Sequence, residues 1–464
     1  MHRIEEVVAR DMCIGCGACV LASDGAVTVS LGPTRTYAAQ LDDASPSEVR
    51  AASRVCPFSD ESPNEDALSA PHPDGSMVRD PHLGTFRSTF GGRVADDRYL
   101  SGSSSGGLTS WLISELISTG RVDAAIVVGP QDDHDEHFAY EVVDGQRVRA
   151  TRKSHYYAST MADALTVASQ SDQRFVIVGV PCFIRAARAL CREKPDFAKR
   201  IEYFVALVCG HYKSQAFGES LAWQLGVPPS NLEAIDFRVK SGSTSANDYK
   251  FGARERSSGE WRTAPVSHLI GGNWGHNAFQ PEACNFCDDV VGETADISFG
   301  DAWLPEFVGD PRGTNVVVCR NTELEELMIA GADRREIELF AVSPDDVKQS
   351  QAGGFRHRRQ GLSIRLNDDL TAGLSVPVKR VPAEIPDDAS ERRVALIRHR
   401  RKMARQSHRF FAEAVRVGDL RKYLSAQKRA IAEYERIEHP LHRRVVRRSR
   451  ARIGKLVRRG FRRA

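Results

Sequence analysis

Apolar and polar positions divide this chain into stretches of different period. From Ala26 to Leu41 (AVTVSLGPTRTYAAQL) they alternate weakly, which predicts two short strands. The following SPSEVRAASRVCP reads as a helix entered through a Ser cap and ended before Pro57. Residues 59–85 are rich in Pro, Asp and Ser and read as a linker. A large body follows, about 86–345. Within it GGLTSWLISELISTG is an amphipathic helix, VDAAIVVG and FVIVGV are buried-strand runs, FIRAARALCRE is a helix and IEYFVALVCG a strand. Strands alternating with helices predict a largely parallel sheet covered on both faces. Residues 346–390 carry scattered Pro and Asp and read as an irregular connector. Helical spacing returns from Glu391 onward. No repeat of about 20–50 residues is present.

The chain has 464 residues, 41% of them hydrophobic, enough for about three domains. No uninterrupted apolar run of about 18 residues predicts a membrane span. The opening MHRIEEVVARD carries acids where an export signal needs apolar residues. Ten cysteines in such a chain point to metal or redox ligands in a reducing cytoplasm. The net charge of +3 hides a split. Residues 391–464 hold 25 Lys and Arg against 6 Asp and Glu, whereas residues 1–390 hold 39 against 55. In the last stretch Leu441, Val445, Ile453, Leu456, Val457 and Phe461 recur among arginines at roughly helical spacing. That pattern suits a helix lying peripherally on an anionic membrane, where each cation is worth about 1 kcal/mol. It suits equally a helix docked on the acidic body or on a partner, or a solvated extension. Nucleic acid ranks last, because no recognised nucleic-acid motif accompanies the charge.

Chemistry is concentrated in the cysteines. Cys13, Cys16 and Cys19 stand at two-residue gaps in CIGCGAC, and Cys56 is followed by Pro57. Three consecutive thiolates so spaced, completed by a distant Cys-Pro, match the ligand run of bacterial ferredoxins and predict one [4Fe-4S] cluster. A structural zinc site is the alternative, although zinc favours well-separated pairs. Residues 1–58 are therefore expected to form a ferredoxin-like unit. Four more cysteines are placed for a second cluster. Cys182 and Cys209 follow predicted strands, and Cys284 and Cys287 form a C-x2-C pair. The alternative for Cys182 and Cys209 is simple packing in the core. Cys191 and Cys319 read as packing residues.

SGSSSGGLTS, residues 101–110, is a Gly/Ser turn entering a helix. Gly102, Gly106 and Gly107 permit close backbone approach; Ser103, Ser104, Ser105 and Thr109 add hydroxyls. A diphosphate site and ordinary helix capping both fit. Arg238 and Lys240 would offset charge on a reduced flavin or acidic coenzyme, or else line a solvated strand face. His155, Tyr156 and His211 are the titratable candidates for proton transfer. Asp296 and Asp301 read as turn caps.

Taken in order, SGSSSGGLTS, SHYYAS, VGVPCF, LVCGHYKS, DFRVK, CNFC and ADISFGD resemble the beta subunit of coenzyme F420 hydrogenase/dehydrogenase over roughly residues 1–345. The resemblance implies an FAD, a body [4Fe-4S] cluster on Cys182, Cys209, Cys284 and Cys287, and the N-terminal ferredoxin unit. It also implies coenzyme F420, a deazaflavin hydride carrier, as substrate, and a redox protein or ferredoxin as partner. One departure stands out: Ser154-His155-Tyr156 replaces the family's frequent Ser-Lys-Tyr. A permanent cation there becomes a group that titrates near neutral pH. The fold expected is α/β (α+β overall), with a ferredoxin-like domain at 1–58, a linker at 59–85, a mixed or parallel-sheet flavin domain at 86–345, a connector at 346–390 and a basic helical extension at 391–464. The expected function is a cytoplasmic flavin and iron–sulfur oxidoreductase. A ferredoxin-dependent reductase of an organic substrate, linked to surface-polysaccharide biosynthesis, is one alternative. A zinc scaffold with a nucleic-acid-binding tail is the other.

Overall fold

The computed structural model describes residues 1–69, 77–131, 136–240 and 245–439. Strands β1 (Thr28–Leu31) and β2 (Tyr37–Gln40) form the predicted N-terminal hairpin. The predicted helix after it spans Pro46–Val55. Ser45 caps it, with Glu48 accepting a bond from the Ser45 N–H in return, so two free backbone donors are satisfied reciprocally. A small hairpin, β3 (Val78–Asp80) and β4 (Gly84–Phe86), occupies part of the expected linker. Another part forms the Asn64-capped turn Glu65–Leu68.

The main sheet contains β5 (Ser88–Val94), β6 (Ala124–Pro130), β7 (Phe138–Val143), β8 (Phe175–Gly179) and β9 (Ile201–Leu207). A separate antiparallel sheet, β10 (Leu232–Lys240), β11 (Tyr249–Glu255) and β12 (Trp261–Pro265), follows. The main sheet is completed by β13 (Ile297–Asp301), β14 (Asn315–Cys319) and β15 (Ile337–Ala341), in the order β15-β5-β14-β13-β9-β8-β6-β7. Only the centre, β6-β8-β9-β13, is parallel. The flanking pairs are antiparallel, so the sheet is mixed and not largely parallel as the alternation suggested. The strands that reverse it, β7, β14 and β15, lie outside the runs from which parallel pairing was inferred.

Period-2 alternation decides what each face holds. Phe175, Ile177, Phe204 and Ala206 point into one core. Val176, Val178, Tyr203 and Val205 point into the other. The second core is closed by the helices Leu108–Ser118 and Thr322–Asp333. The first is closed by the helices Ala162–Ser169 and Pro181–Glu193 together with residues of the N-terminal unit, including Ala18, Ala22, Ala52 and Val55. The N-terminal unit thus shares a core with the body. The Met161 N–H donates to Cys16 O at 3.2 Å and the Gln215 N–H to Arg35 O at 2.9 Å across that junction.

The stretch expected to be irregular is helical up to Thr371, in the segments Pro344–Ser350, Ala352–Arg358 and Gln360–Thr371. Its core-facing side carries His357, Arg358 and Arg365 as well as apolar residues, so hydrophobic periodicity is broken there. Beyond it, Glu391–Val417 and Leu420–Glu438 form an antiparallel helix pair turned at Gly418, which has φ +68°. Phe411, Ala414 and Tyr423 bury against Phe279 and the helix Gln215–Gln224. Arg401 bonds Glu282 at 2.5 Å and Asp369 at 2.6 Å, and Arg398 bonds Asp368 at 2.6 Å. This part of the basic extension docks on the acidic body. The arginine-rich stretch from Leu441 to Phe461 lies outside the described residues. Among the described residues no helix is long and apolar enough to cross a membrane.

Candidate cluster and flavin site

Cys16, Cys19 and Cys56 are buried and Cys13 is partly buried. Two glycines shape the loop that gathers them. Gly15 has φ +70°, and a Cβ there would stand 2.3 Å from Tyr37 Cβ. Gly17 has φ +85°, and its Cβ would meet Ala162 N at 2.5 Å. Only glycine fits both conditions. The Ala39 N–H donates to Cys13 Sγ at 3.4 Å. Burial pushes each thiol up, Cys56 to about 12. Cys19 is raised further by its nearness to Cys16, Cys13 and Cys56. Each raised thiol would have to lose its proton to a bound metal before it could act as a ligand.

The second set assembles around two strand ends. Cys182 lies in the first turn of Pro181–Glu193, just past β8, and Cys209 follows β9. Cys284 and Cys287 come from the short turn at Glu282–Phe286. Burial raises Cys182, and Cys287, Cys209 and Cys284 raise it further. Cys16 of the first set contributes as well, so the two sets adjoin. The Tyr212 N–H donates to Cys284 Sγ at 3.3 Å. Arg358, 1% exposed, donates through Nε to Cys287 Sγ at 3.4 Å and through Nη1 to Gly210 O at 2.6 Å. Among the described residues no three His, Cys, Asp or Glu side chains converge as a single metal ion requires. A cubane of four irons spreads its ligands more widely than one ion does. A buried guanidinium aimed at thiols fits an anionic cluster.

Beside the second set opens a cavity of about 250 Å³, and Cys209 lines it. Ser103, Ser104, Ser105, Gly107 and Thr109 line it too, at the entry to the helix Leu108–Ser118. Gly102 and Gly106 do not. Gly102 packs under the Arg152 guanidinium, and a Cβ on Gly106 would meet Asn315 Oδ1 at 2.7 Å. The helix entrance is partly closed from within, because the Leu108 N–H donates to Asn315 Oδ1 at 3.2 Å. Ser104 Oγ accepts from the Ser154 N–H at 2.8 Å, tying this loop to the SHYYAS segment.

Arg238 is no solvated strand cation. It is buried, pairs with Asp301 at 2.8 Å and lies between Tyr249 and Trp303. Asp301 is thus a counter-ion, and Asp296 binds both the Phe204 N–H and Arg188. Lys240 faces a second cavity of about 250 Å³, which shares Ser104, Ser105, Arg238 and Asp301 with the first. Its Nζ donates to Leu100 O at 2.7 Å and Arg312 O at 3.0 Å. His155 does not titrate near neutrality as its type suggests. It faces the cavity with Phe138 packed 4.2 Å away, and desolvation pushes it down to about 4. Burial raises Tyr156 and holds His211 well below its ordinary value. Both are therefore neutral at pH 7. His155 Nε2, His211 Nε2 and Arg238 Nε are buried without a hydrogen-bond partner, as groups awaiting a polar ligand are.

Two further residues escape the sequence reading. Lys213, fully buried in the cavity wall, lies over Phe217 and Trp274 and is lowered to about 7 by desolvation. Arg358 stands in the stretch expected to be irregular. Lys213 was within reach, since it sits in the quoted LVCGHYKS; nothing local marks Arg358.

Residues 172–345 match the family model for the C-terminal part of the coenzyme F420 hydrogenase/dehydrogenase beta subunit, and residues 89–166 match the model for its N-terminal part. The chain is similar to a subunit of the F(420)H(2) dehydrogenase of Methanosarcina mazei, 28% identical over 70% of this chain and 83% of the relative. It is similar to coenzyme F420-dependent sulfite reductase of Methanocaldococcus jannaschii, 26% identical over 50% of this chain but only 36% of that protein. A chain of the F420-reducing [NiFe] hydrogenase complex from Methanosarcina barkeri aligns with a TM-score of 0.49 and 19% identity, over 65% of this chain and 99% of that one.

Proposed function

The chain belongs to the family of coenzyme F420 hydrogenase/dehydrogenase beta subunits, and from that premise we propose that it is an oxidoreductase passing electrons between a deazaflavin hydride carrier and a one-electron protein partner. FAD and two [4Fe-4S] clusters are the cofactors of this reading. The observation that carries it is continuity. Cys209 of the second thiol set lines the cavity, and Cys182 of that set adjoins Cys16 of the first. Flavin bound in the cavity would supply the exchange between two-electron and one-electron chemistry, and the clusters single-electron storage. The Ser103–Ser105 loop, Gly107 and Thr109 would hold the diphosphate, and the paired Arg238 would orient the ligand from the shared wall of the two cavities. His155 and Tyr156, both neutral, would act as hydrogen-bonding groups. Tyr156 and Trp274, packed together in the cavity wall, would exclude water from a bound ligand.

The test uses anaerobically purified full-length protein. Iron, sulfide, zinc and released flavin are quantified, and absorbance is followed on adding reduced coenzyme F420. About eight irons, one FAD and rapid flavin bleaching are expected. Iron and FAD without bleaching would select a ferredoxin-fed reductase instead. Zinc without flavin would overturn the redox reading.

A further inference from the structure

We propose that Arg358 sets the reduction potential of the cluster on Cys182, Cys209, Cys284 and Cys287, raising it above that of the cluster on Cys13, Cys16, Cys19 and Cys56. This rests on the two-cluster reading and adds an order of potentials to it. Arg358 touches a ligand sulfur directly, through Nε to Cys287 Sγ. Among the described residues it forms no ion pair with a carboxylate, and the side chains that act on it most, after its burial, are Cys287, Cys209 and Cys284. Nearby cations cannot borrow a counter-ion for it. Arg365 donates only to the main-chain oxygens of Asn285 and His357, and Arg400 to Asn277 Oδ1. Glu282, an acid close to Arg365, is already bonded by Arg401 and Arg405.

A guanidinium keeps its charge at any working pH. Buried without a carboxylate, it is costly until an anion arrives. Reduction adds one negative charge to the cluster, so a fixed cation bonded to a ligand sulfur favours the reduced form. Among the described residues no guanidinium bonds a sulfur of the N-terminal set, whose Cys13 Sγ accepts from the Ala39 N–H. Arg185, a cation that acts on Cys56, is paired with buried Glu65 at 3.1 Å. One electron leaving the N-terminal cluster, which is oxidised, would therefore move downhill to the body cluster, which is reduced; no proton or bond is involved. The positioning charge comes from residue 358, beyond the family-matched region 172–345.

The experiment is an anaerobic redox titration of the full-length protein with dithionite, followed by electron paramagnetic resonance. Cys16→Ala assigns the two signals. In the native chain the body signal should appear at the higher potential. Arg358→Gln should lower it by at least tenfold in the reduction equilibrium, which is about 59 mV for one electron, and leave the N-terminal signal unmoved. Arg358→Lys, which keeps the charge, should retain most of the native value. An unmoved body potential in Arg358→Gln, or an N-terminal cluster reduced first in the native chain, overturns the proposal. If Arg358→Gln holds only half the iron, the native order and Arg358→Lys decide. Protein without iron overturns the cluster reading itself, whereas full iron with an unmoved potential overturns only the role of Arg358.

Discussion

Single side chains separate ligands from packing residues. Cys284→Ala should lower iron from about eight per chain toward about four, because the proposed body cluster loses one of its four thiolates. Cys319→Ala should leave iron unchanged: Cys319 is buried in β14 and its thiol donates to Asn321 O. Iron and sulfide assays after anaerobic reconstitution check both, and equal iron in the two variants would contradict the assignment. Gly15→Ala meets two penalties at once, a positive φ and a backbone-fixed collision with Tyr37. It should cost about 1–2 kcal/mol from the left-handed conformation alone, and more from the clash. The expected readout is selective loss of the N-terminal cluster signal. The gathering of Cys13, Cys16 and Cys19 was legible because the three share one short loop, where spacing is geometry. Arg358 was not, because what makes it unusual is the absence of a carboxylate among residues distant from it in sequence.

Helix ends and helix pairing carry the next level. The Ser45 cap, its Glu48 partner and the stop at Cys56-Pro57 were readable because capping is local. The helices between Pro344 and Thr371 were not, because their buried side includes His357, Arg358 and Arg365, and the two arginines bond main-chain and sulfur atoms far away in the chain. The C-terminal helix pair makes a pH prediction. Despite its burial, Glu282 is held below the ordinary glutamate range by Arg405 and Arg401, and Asp369 below the aspartate range by Arg401 and Arg10. Both acids have depressed folded values. Their stabilisation is therefore complete above the unfolded values, near about 4, and is lost as pH falls through the folded ones. Acid should loosen the pair below about pH 4. Glu282→Gln should cost about 3 kcal/mol near neutrality, as breaking a buried ion pair does, and flatten this arm of the stability–pH curve. Thermal melts from acid to neutral pH would show it, and an unchanged arm would mean that Glu282 does not hold the pair.

Across the whole molecule, the N-terminal unit and the body cannot be treated as beads on a linker. Cys16, Cys19 and Cys56 belong to the same buried cluster as Cys284, Phe183 and Ile177 of the body. Tyr140 is raised by burial and by the nearness of Tyr212, Cys182 and Cys16, so it stands where the two thiol sets meet. It packs on Phe183 at 5.7 Å, and Phe183 packs on Tyr212 at 5.5 Å. If the cavity beside Cys209 holds flavin as proposed, the second set would exchange electrons with the flavin and the first set with a protein partner. Breaking the first set should therefore divide the electron path. In Cys16→Ala, flavin bleaching by reduced coenzyme F420 should persist at a rate within about threefold of native, since the cavity and second set are intact. Reduction of a one-electron protein acceptor should fall at least tenfold, the loss corresponding to about 1.4 kcal/mol of barrier. Stopped-flow absorbance separates the two steps. Acceptor reduction at the native rate would mean that partners draw electrons from the flavin or the body cluster directly, and that the N-terminal cysteines serve the fold they share with the body rather than the path.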